Sequence, residues 1–294
     1  MSPDLSNPPA WIPGNPEPLL SAAALEQLRG MARDASAPSL LALDDIGLLR
    51  ELGLLTSNGL AREALLLVGS EDSLNQYFPE YHWKYEYHWG AGRKPDRLEG
   101  NDPIPIALAR MVERIKTGAS TLVMPPSSQA FEHRPYPETA LMAALLNAFC
   151  HADYTQGVPV QVRQEAANVE FINPGSMPAE ISPDNILRRR DAMRNPLLIQ
   201  ALTRLGLANQ AESGIQRMVR ILLGEGFQPP EYNMQENQVR TGVIGGGTVA
   251  RFRLFVEREI QEGRSMTLEI LLTLHAALQQ PEIDEEIIAQ VCQV

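Results

Sequence analysis

Apolar residues along this chain recur with two periods, and the switches between them predict its elements. Spacings of three and four place helices at about residues 20–33 and 43–53, the second opening with Asp44 and Asp45 and closing at Gly53. The run TSNGLAREALLLVGS that follows reads as a turn, a short helix and a buried strand ending at Gly69. From Tyr81 to Trp89 the period drops to two. Tyr81, Trp83, Tyr85, Tyr87 and Trp89 share one strand face, and His82, Lys84, Glu86 and His88 share the other. Such an aromatic stripe can stack bases, but burial statistics favour a packed core.

Further helices are predicted at about 103–117, 138–151, 182–189, 196–205, 212–224, 265–279 and 284–292. Ser182-Pro183-Asp184 supplies a cap with proline at the first helical position. Strands are predicted at 158–165 and 168–173, and at 238–244 and 248–255 around Gly245-Gly246-Gly247. Helix, turn, helix and strand near the start suit a small winged-helix-like unit, and the last two helices suit the opening of another. Strands and helices come in runs rather than in strict alternation. That argues for an α+β fold, with helices packed on one face of a mixed sheet.

Composition narrows the function classes. The chain has 294 residues, 44% of them hydrophobic, and a net charge of −11. No apolar run approaches the roughly 18 residues of a membrane span, and the proline-rich opening does not resemble a secretory signal. Cys150 and Cys292 have no metal-type spacing, so reduced thiols and a cytoplasmic location are expected. An acidic chain repels a phosphate backbone, which leaves Arg188, Arg189, Arg190 and Arg194, the densest cationic run, as candidate DNA contacts. His82 and His88 have Lys84 between them and no third ligand, so no metal is expected there. The Gly245–Thr248 run could nest a phosphate, but turn chemistry favours a hairpin turn. His275 reads as a packing or capping residue. No GxxxxGK[ST] run is present, so a P-loop motor is excluded.

The chemistry concentrates on the helix ETALMAALLNAFCHADY. At about 100° per residue, Leu141, Met142, Leu145, Leu146 and Phe149 form a core face. Asn147 and His151 stack one turn apart on the opposite side, in line with Ala143 and flanked by Ala144 and Ala148. An Asn amide oxygen suits Mg²⁺ whose remaining ligands are phosphates and water, and a nearby His can donate to those phosphates. The same two residues also suit a solvated helix face. Cys150 and His151 point about 100° apart and form no catalytic pair. Downstream, Asn173-Pro174-Gly175 turns out of a strand, and Glu212-Ser213-Gly214 opens a helix whose free N–H groups favour phosphate.

The run YPETALMAALLNAFCHADY, then VEFINPGSMP, RNPLLIQALTRLGLANQAESGIQRMV and GFQPPEY resembles the ATP-binding region of RecG-like, Schlafen/AlbA-associated bacterial regulators. These carry the GHKL (Bergerat) nucleotide-binding fold of gyrase, MutL and histidine kinases. The resemblance spans about residues 45–255. It implies a GHKL-like two-layer sandwich flanked by winged-helix-like segments, with ATP and Mg²⁺ as cofactors. Asn147 matches the magnesium-ligating Asn and His151 its phosphate-side partner. Asn173 and Gly175 match the adenine-recognising turn, and Ser213 and Gly214 the turn that meets the phosphates. Ala143 stands where catalytic members carry a water-activating glutamate, and Met177 replaces a small residue where it would crowd the base.

The division implied is a leader and first helix (1–35), a winged-helix-like and α/β segment (36–130), the nucleotide-binding core (131–262) and the first helices of a second winged helix (263–294). A Schlafen/AlbA-like domain expected upstream and a groove-reading helix expected downstream are absent, so the chain reads as a fragment. Three functions stay open: a nucleotide-binding regulatory module with weak or no hydrolysis, a scaffold or homodimerisation module with a degenerate site, and a DNA-binding protein. No membrane partner is expected.

Overall fold

The computed structural model describes residues 11–90, 92–119, 131–132, 136–166, 168–178, 180–188, 194–207, 213–245, 248–280 and 282–294. The chain opens with β1 (Trp11–Ile12), α1 (Ala22–Asp34), α2 (Pro38–Leu41), α3 (Asp45–Glu51), β2 (Leu55–Thr56) and β3 (Gly59–Ala61). Ser21 caps α1 by accepting from the Ala24 amide, and Asp44 caps α3 by accepting from Gly47 at 2.6 Å. Strands β1, β3 and β2 form a small antiparallel sheet beside these helices.

The apolar run read as a strand before Gly69 is instead helix α4 (Ala64–Val68). All five of its residues are fully buried, so neither period shows, and a buried helical turn cannot be told from a buried strand.

There follow α5 (Glu71–Tyr77), β4 (Trp83–Tyr87), β5 (Asp96–Gly100), α6 (Ile104–Ala119), β6 (Phe131–Glu132) and α7 (Glu138–His151). Next come β7 (Val160–Glu165), β8 (Asn168–Pro174), α8 (Pro196–Arg204), α9 (Gly214–Gly224), β9 (Glu231–Gln235) and β10 (Gln238–Ile244). The described elements end with β11 (Thr248–Val249), α10 (Ala250–Gln261), α11 (Leu268–Gln279) and α12 (Glu285–Cys292).

The main sheet is mixed, in the order β5-β4-β7-β8-β10-β9, with β4 and β7 parallel and the other pairs antiparallel. Its inner face carries Trp83, Tyr85, Tyr87, Val160, Val162, Val169 and Phe171, all buried, and α6 and α7 pack against it. The aromatic stripe is therefore core up to Tyr87, while Trp89 is 38% exposed. The outer face is polar and in register: Arg97, Glu86, Arg163 and Glu170 lie side by side across four strands. Glu86 is gripped there by Lys84 and Arg97, each at 2.8 Å, and accepts from Gln161 at 2.9 Å. Burial pushes the Glu86 carboxyl up, but the Lys84 hydrogen bond and the charges of Lys84, Arg97 and His88 outweigh it and hold it below the usual range.

Two further predicted elements differ. Residues 183–188 form successive turns rather than a helix, with the Asn185 side chain accepting from the Ser182 amide at 2.9 Å. The second strand of the expected glycine hairpin is only two residues long. It pairs with β6 rather than β10 and runs straight into helix α10. Gly245 is required by packing: a Cβ there would lie 2.1 Å from the Tyr136 hydroxyl oxygen.

Two apolar clusters result. The larger runs from Ile12 to Val243, so the N-terminal helices and the main sheet share one core. The smaller joins Met177, Ile186, Leu187, Val219 and Leu223 to Phe252, Val256, Leu271, Leu272 and Cys292. Helix α9 faces both.

One buried polar link ties α6 to the sheet. The Tyr85 hydroxyl donates to Gln164 Oε1 at 2.7 Å, and Gln164 Nε2 donates to the Ile115 carbonyl at 3.1 Å. Gln164→Leu removes both of these bonds, leaving the Tyr85 hydroxyl the Arg114 carbonyl at 3.2 Å, and should cost about 1–3 kcal/mol. Thermal unfolding is expected to fall by several degrees, and an unchanged midpoint would show the link to be idle.

Candidate functional site

Helix α7 is apolar on almost every side. Ala140, Leu141, Ala143, Ala144, Leu145, Leu146, Ala148, Phe149 and Cys150 are all buried, because the helix is sandwiched among β8, α6 and α9. The face opposite the sheet is thus packed rather than solvated, since α9 covers it. Asn147 and His151 are only half-buried. Among the described residues, neither the Asn147 amide nor the His151 ring has a side-chain hydrogen bond.

Helix α9 returns antiparallel to α7, for Tyr136 ahead of α7 stacks on Phe227 beyond the end of α9, with ring centroids 6.2 Å apart. Ser213 is therefore at the same end of the pair as His151. Its hydroxyl accepts from the Gln216 amide at 3.1 Å, and Gln216 Oε1 accepts from the Ser213 amide at 2.9 Å, a reciprocal capping box. Gly214 is exposed, and a Cβ there would meet nothing within 4 Å, so packing does not demand glycine.

Strand β8 delivers the second part of the cluster. Asn173 is buried, and its Nδ2 donates to the His151 carbonyl at 3.4 Å. Gly175 adopts φ +103°, and a Cβ there would lie 2.9 Å from Cζ of Arg194. Arg194, which the sequence placed among candidate DNA contacts, fills that space. Its guanidinium pairs with Asp153 at 2.8 Å and donates to the Ser176 carbonyl at 3.0 Å. Asn195 Nδ2 donates to the carbonyls of Cys150 and Ala152, at 2.9 and 3.0 Å, satisfying the end of α7.

Asp153 and Asn195 were missed in the sequence. Their only signal was position, one just past the end of α7 and one just before the proline that opens α8. The Met177 side chain is buried in the smaller cluster, with Ile186 and Leu187. Arg188 is also engaged, donating from Nε to the Cys292 carbonyl at 2.9 Å and lying 3.9 Å from Glu269. Arg189 and Arg190 lie outside the described residues.

Electrostatics sharpen the picture. Burial, then the charge of Arg194, lowers the His151 imidazole to about 4, so the ring is neutral at pH 7. Burial pushes the Cys150 thiol up to about 12, which makes it a poor nucleophile. Burial raises the Asp153 carboxyl, but hydrogen bonds from Thr155 and Gln156 and the charge of Arg194 bring it below its ordinary value.

The protein donor present for a magnesium ion is the Asn147 amide oxygen, and Ala143, one turn back, offers none. That set fits a cation held chiefly by phosphate oxygens and water, not a protein cage. Two surface clefts lie elsewhere. One, of about 340 Å³, is lined by residues including Pro13, Glu17, Arg50 and Asn58, and one of about 240 Å³ lies among α1, α6 and α7.

Two outcomes follow from these contacts. The unfolded chain takes up a proton on His151 near pH 6.5 and the folded chain only near 4, so stability is full above 6.5 and falls between those values. The loss is of order 1–3 kcal/mol, and pH-dependent melting of His151→Gln should be correspondingly flatter. Arg194→Ala should cost about 1–3 kcal/mol by unpairing Asp153. Arg194→Lys should not restore it, since a single ammonium cannot span Asp153 and the Ser176 carbonyl as the guanidinium fork does. Equal melting of the alanine and parent proteins would remove that role.

Residues 157–243, from just before β7 through most of β10, match a family described as "Putative ATP-dependent DNA helicase recG C-terminal". No curated protein matches the chain. Among solved structures, the DIP2311 protein from Corynebacterium diphtheriae is similar, with a TM-score of 0.77 and 22% identity. The alignment covers 97% of this chain and 56% of that one, so the chain spans just over half the length of that structure. Residues 157–243 are thus similar to a RecG-type C-terminal ATPase domain, within an α+β fold shared along nearly the whole chain with the Corynebacterium protein.

Proposed function

We propose that the chain is a nucleotide-binding regulatory module that holds ATP with Mg²⁺ where α7, β8 and α9 meet, with little or no hydrolysis. The observation that carries this is the pair Asn147 and His151, unpartnered among the described residues on a helix whose other residues from Ala140 to Cys150 are apolar and, Met142 apart, buried. A half-buried amide with no described protein partner keeps its oxygen open to a ligand or to water. Asn147 would offer its oxygen to magnesium, and bound magnesium would neutralise phosphate charge. Neutral His151 would donate one ring N–H to a phosphate oxygen.

Asn173 and Gly175 would take the adenine: Nδ2 of Asn173 is committed to His151, which leaves Oδ1 to accept from an amino group. In its capping box the Ser213 oxygen accepts from Gln216, which leaves its O–H to donate to phosphate beside the first N–H groups and the dipole of α9. Ala143 offers no base, which forgoes a factor of about 10²–10⁴ in turnover.

The layer arrangement supports a GHKL-like reading, with helices on one face of a mixed sheet. Helices α1–α3 followed by the β2–β3 hairpin support a winged-helix-like unit near the start, and α11 and α12 the opening of a second. These features support our reading of the chain as a regulator related to RecG-like proteins, which we assign to the cytoplasm. Among the described residues, no helix is long and apolar enough to cross a membrane. DNA contact through Arg188 and Arg194 has less support, because both spend their guanidiniums on internal partners. A degenerate site serving as a scaffold or homodimer surface is the second reading. It is favoured by the internal commitments of Ser213, Asn173 and Arg194.

A thermal-shift titration with ATP and Mg²⁺, run beside Asn147→Ala, separates the two. At 100 times its Kd a ligand stabilises by about 2.7 kcal/mol, a rise of several degrees for a chain of this size. The parent should show that rise and the variant should lose it. No rise in either protein up to millimolar ATP would leave the scaffold.

A further inference from the structure

Past Gly175 the chain leaves the candidate site at Ser176 and returns at Arg194, and the Arg194 guanidinium closes that excursion by donating to the Ser176 carbonyl at 3.0 Å. The middle of the excursion is held by the end of α12. Gln293 follows α12 in the left-handed region, at φ 56°, a conformation with a steric cost for glutamine. Its side chain has two partners: Oε1 accepts from the Leu187 amide at 2.8 Å, and Nε2 donates to the Pro183 carbonyl at 2.8 Å. The other side of the Leu187 residue belongs to α9, since Gln216 Nε2 donates to the Leu187 carbonyl at 2.8 Å. Gln216 is also the residue whose Oε1 holds the Ser213 amide.

We propose that Gln293 is a positioning residue for the first turn of α9. Its amide fixes Leu187, Leu187 fixes the Gln216 side chain, and Gln216 fixes Ser213 and hence the N–H groups beside Gly214. The link runs Gln293–Leu187–Gln216–Ser213, entirely through hydrogen bonds of 2.8–2.9 Å. Packing reinforces it, because Leu187 and Cys292 share one apolar cluster with Val219 and Leu223 of α9. Helices α11 and α12 thereby sense, and set, the geometry of the α9 N-terminus. The inference rests on the reading of that terminus as a phosphate contact, and it adds the element that would read occupancy.

Amide hydrogen exchange followed by mass spectrometry tests the link without any ligand. Gln293→Gly removes both side-chain bonds while relieving the left-handed strain, so α12 itself should persist. Exchange at Leu187, Ser213 and Gln216 should accelerate about five- to tenfold, as loss of one hydrogen bond predicts. Acceleration confined to residues 183–188 and α12 would overturn the proposal. Gln216→Glu keeps the acceptor for Ser213 but removes the donor to Leu187. In that background Gln293→Gly should no longer reach Ser213, and an undiminished effect there would also overturn it. Should Gln293→Gly fail to fold, Gln216→Glu tests the link from the other end: faster exchange at Leu187 and α12 supports it, and none overturns it. ATP with Mg²⁺ titrated onto the parent keeps the two readings apart. Absence of binding removes the nucleotide assignment, while the exchange pattern still decides the link.

Discussion

The burial of α7 on three sides is the constraint from which the rest of this structure follows. A helix with β8 below it, α9 above it and α6 beside it has to be apolar nearly all round, and α7 is. Its small residues Ala140, Ala143, Ala144 and Ala148 are all buried. Burying a helix this way leaves its terminal carbonyls without water, and the chain answers with Asn195, which takes two of them. Against that background the half-buried Asn147 and His151 stand out as the polar groups that packing does not explain.

Around the end of α7, order is maintained by one guanidinium. Arg194 touches Gly175, Ser176 and Asp153 at once, which ties the strand end, the chain beyond α7 and the approach to α8 into a single cluster. Gly175 is the counterpart of that arrangement: its positive φ turns the chain, and its missing Cβ leaves room for the arginine. The same arginine helps keep His151 neutral. At this end of the candidate site one guanidinium thus serves both packing and electrostatics.

The two apolar clusters divide the work. The larger joins the N-terminal helices to the inner face of the sheet, and the smaller joins α9 to α10, α11 and the 177–187 segment. Helix α9 contributes Met218 and Leu222 to the first and Val219 and Leu223 to the second, so its two faces are committed to different bodies. A helix held from both sides, with its N-terminus at the candidate site, is well placed to carry a change from one cluster to the other.

Periodicity by itself determined most of the elements. Helices α1, α3, α6, α7, α8, α9, α11 and α12 and strands β4, β7, β8 and β10 all announce themselves through spacing, caps and glycine stops, because those are local properties. The buried aromatic face of β4 and the polar pair Asn147 and His151 were legible for the same reason. What only the tertiary structure decided was anything that depends on what lies opposite. Helix α4 is buried all round, so its sequence has no period to read. Residues 248–255 have a strand-like pattern yet bend after two residues into α10, where Phe252 and Val256 join the smaller apolar cluster and the helix packs on α9 rather than in the sheet. The commitment of Arg194 to Asp153, 41 residues away in the chain, and of Gln293 to Leu187, 106 away, leaves no local trace. Local sequence sets which groups are available, and only folding over such distances decides which of them meet.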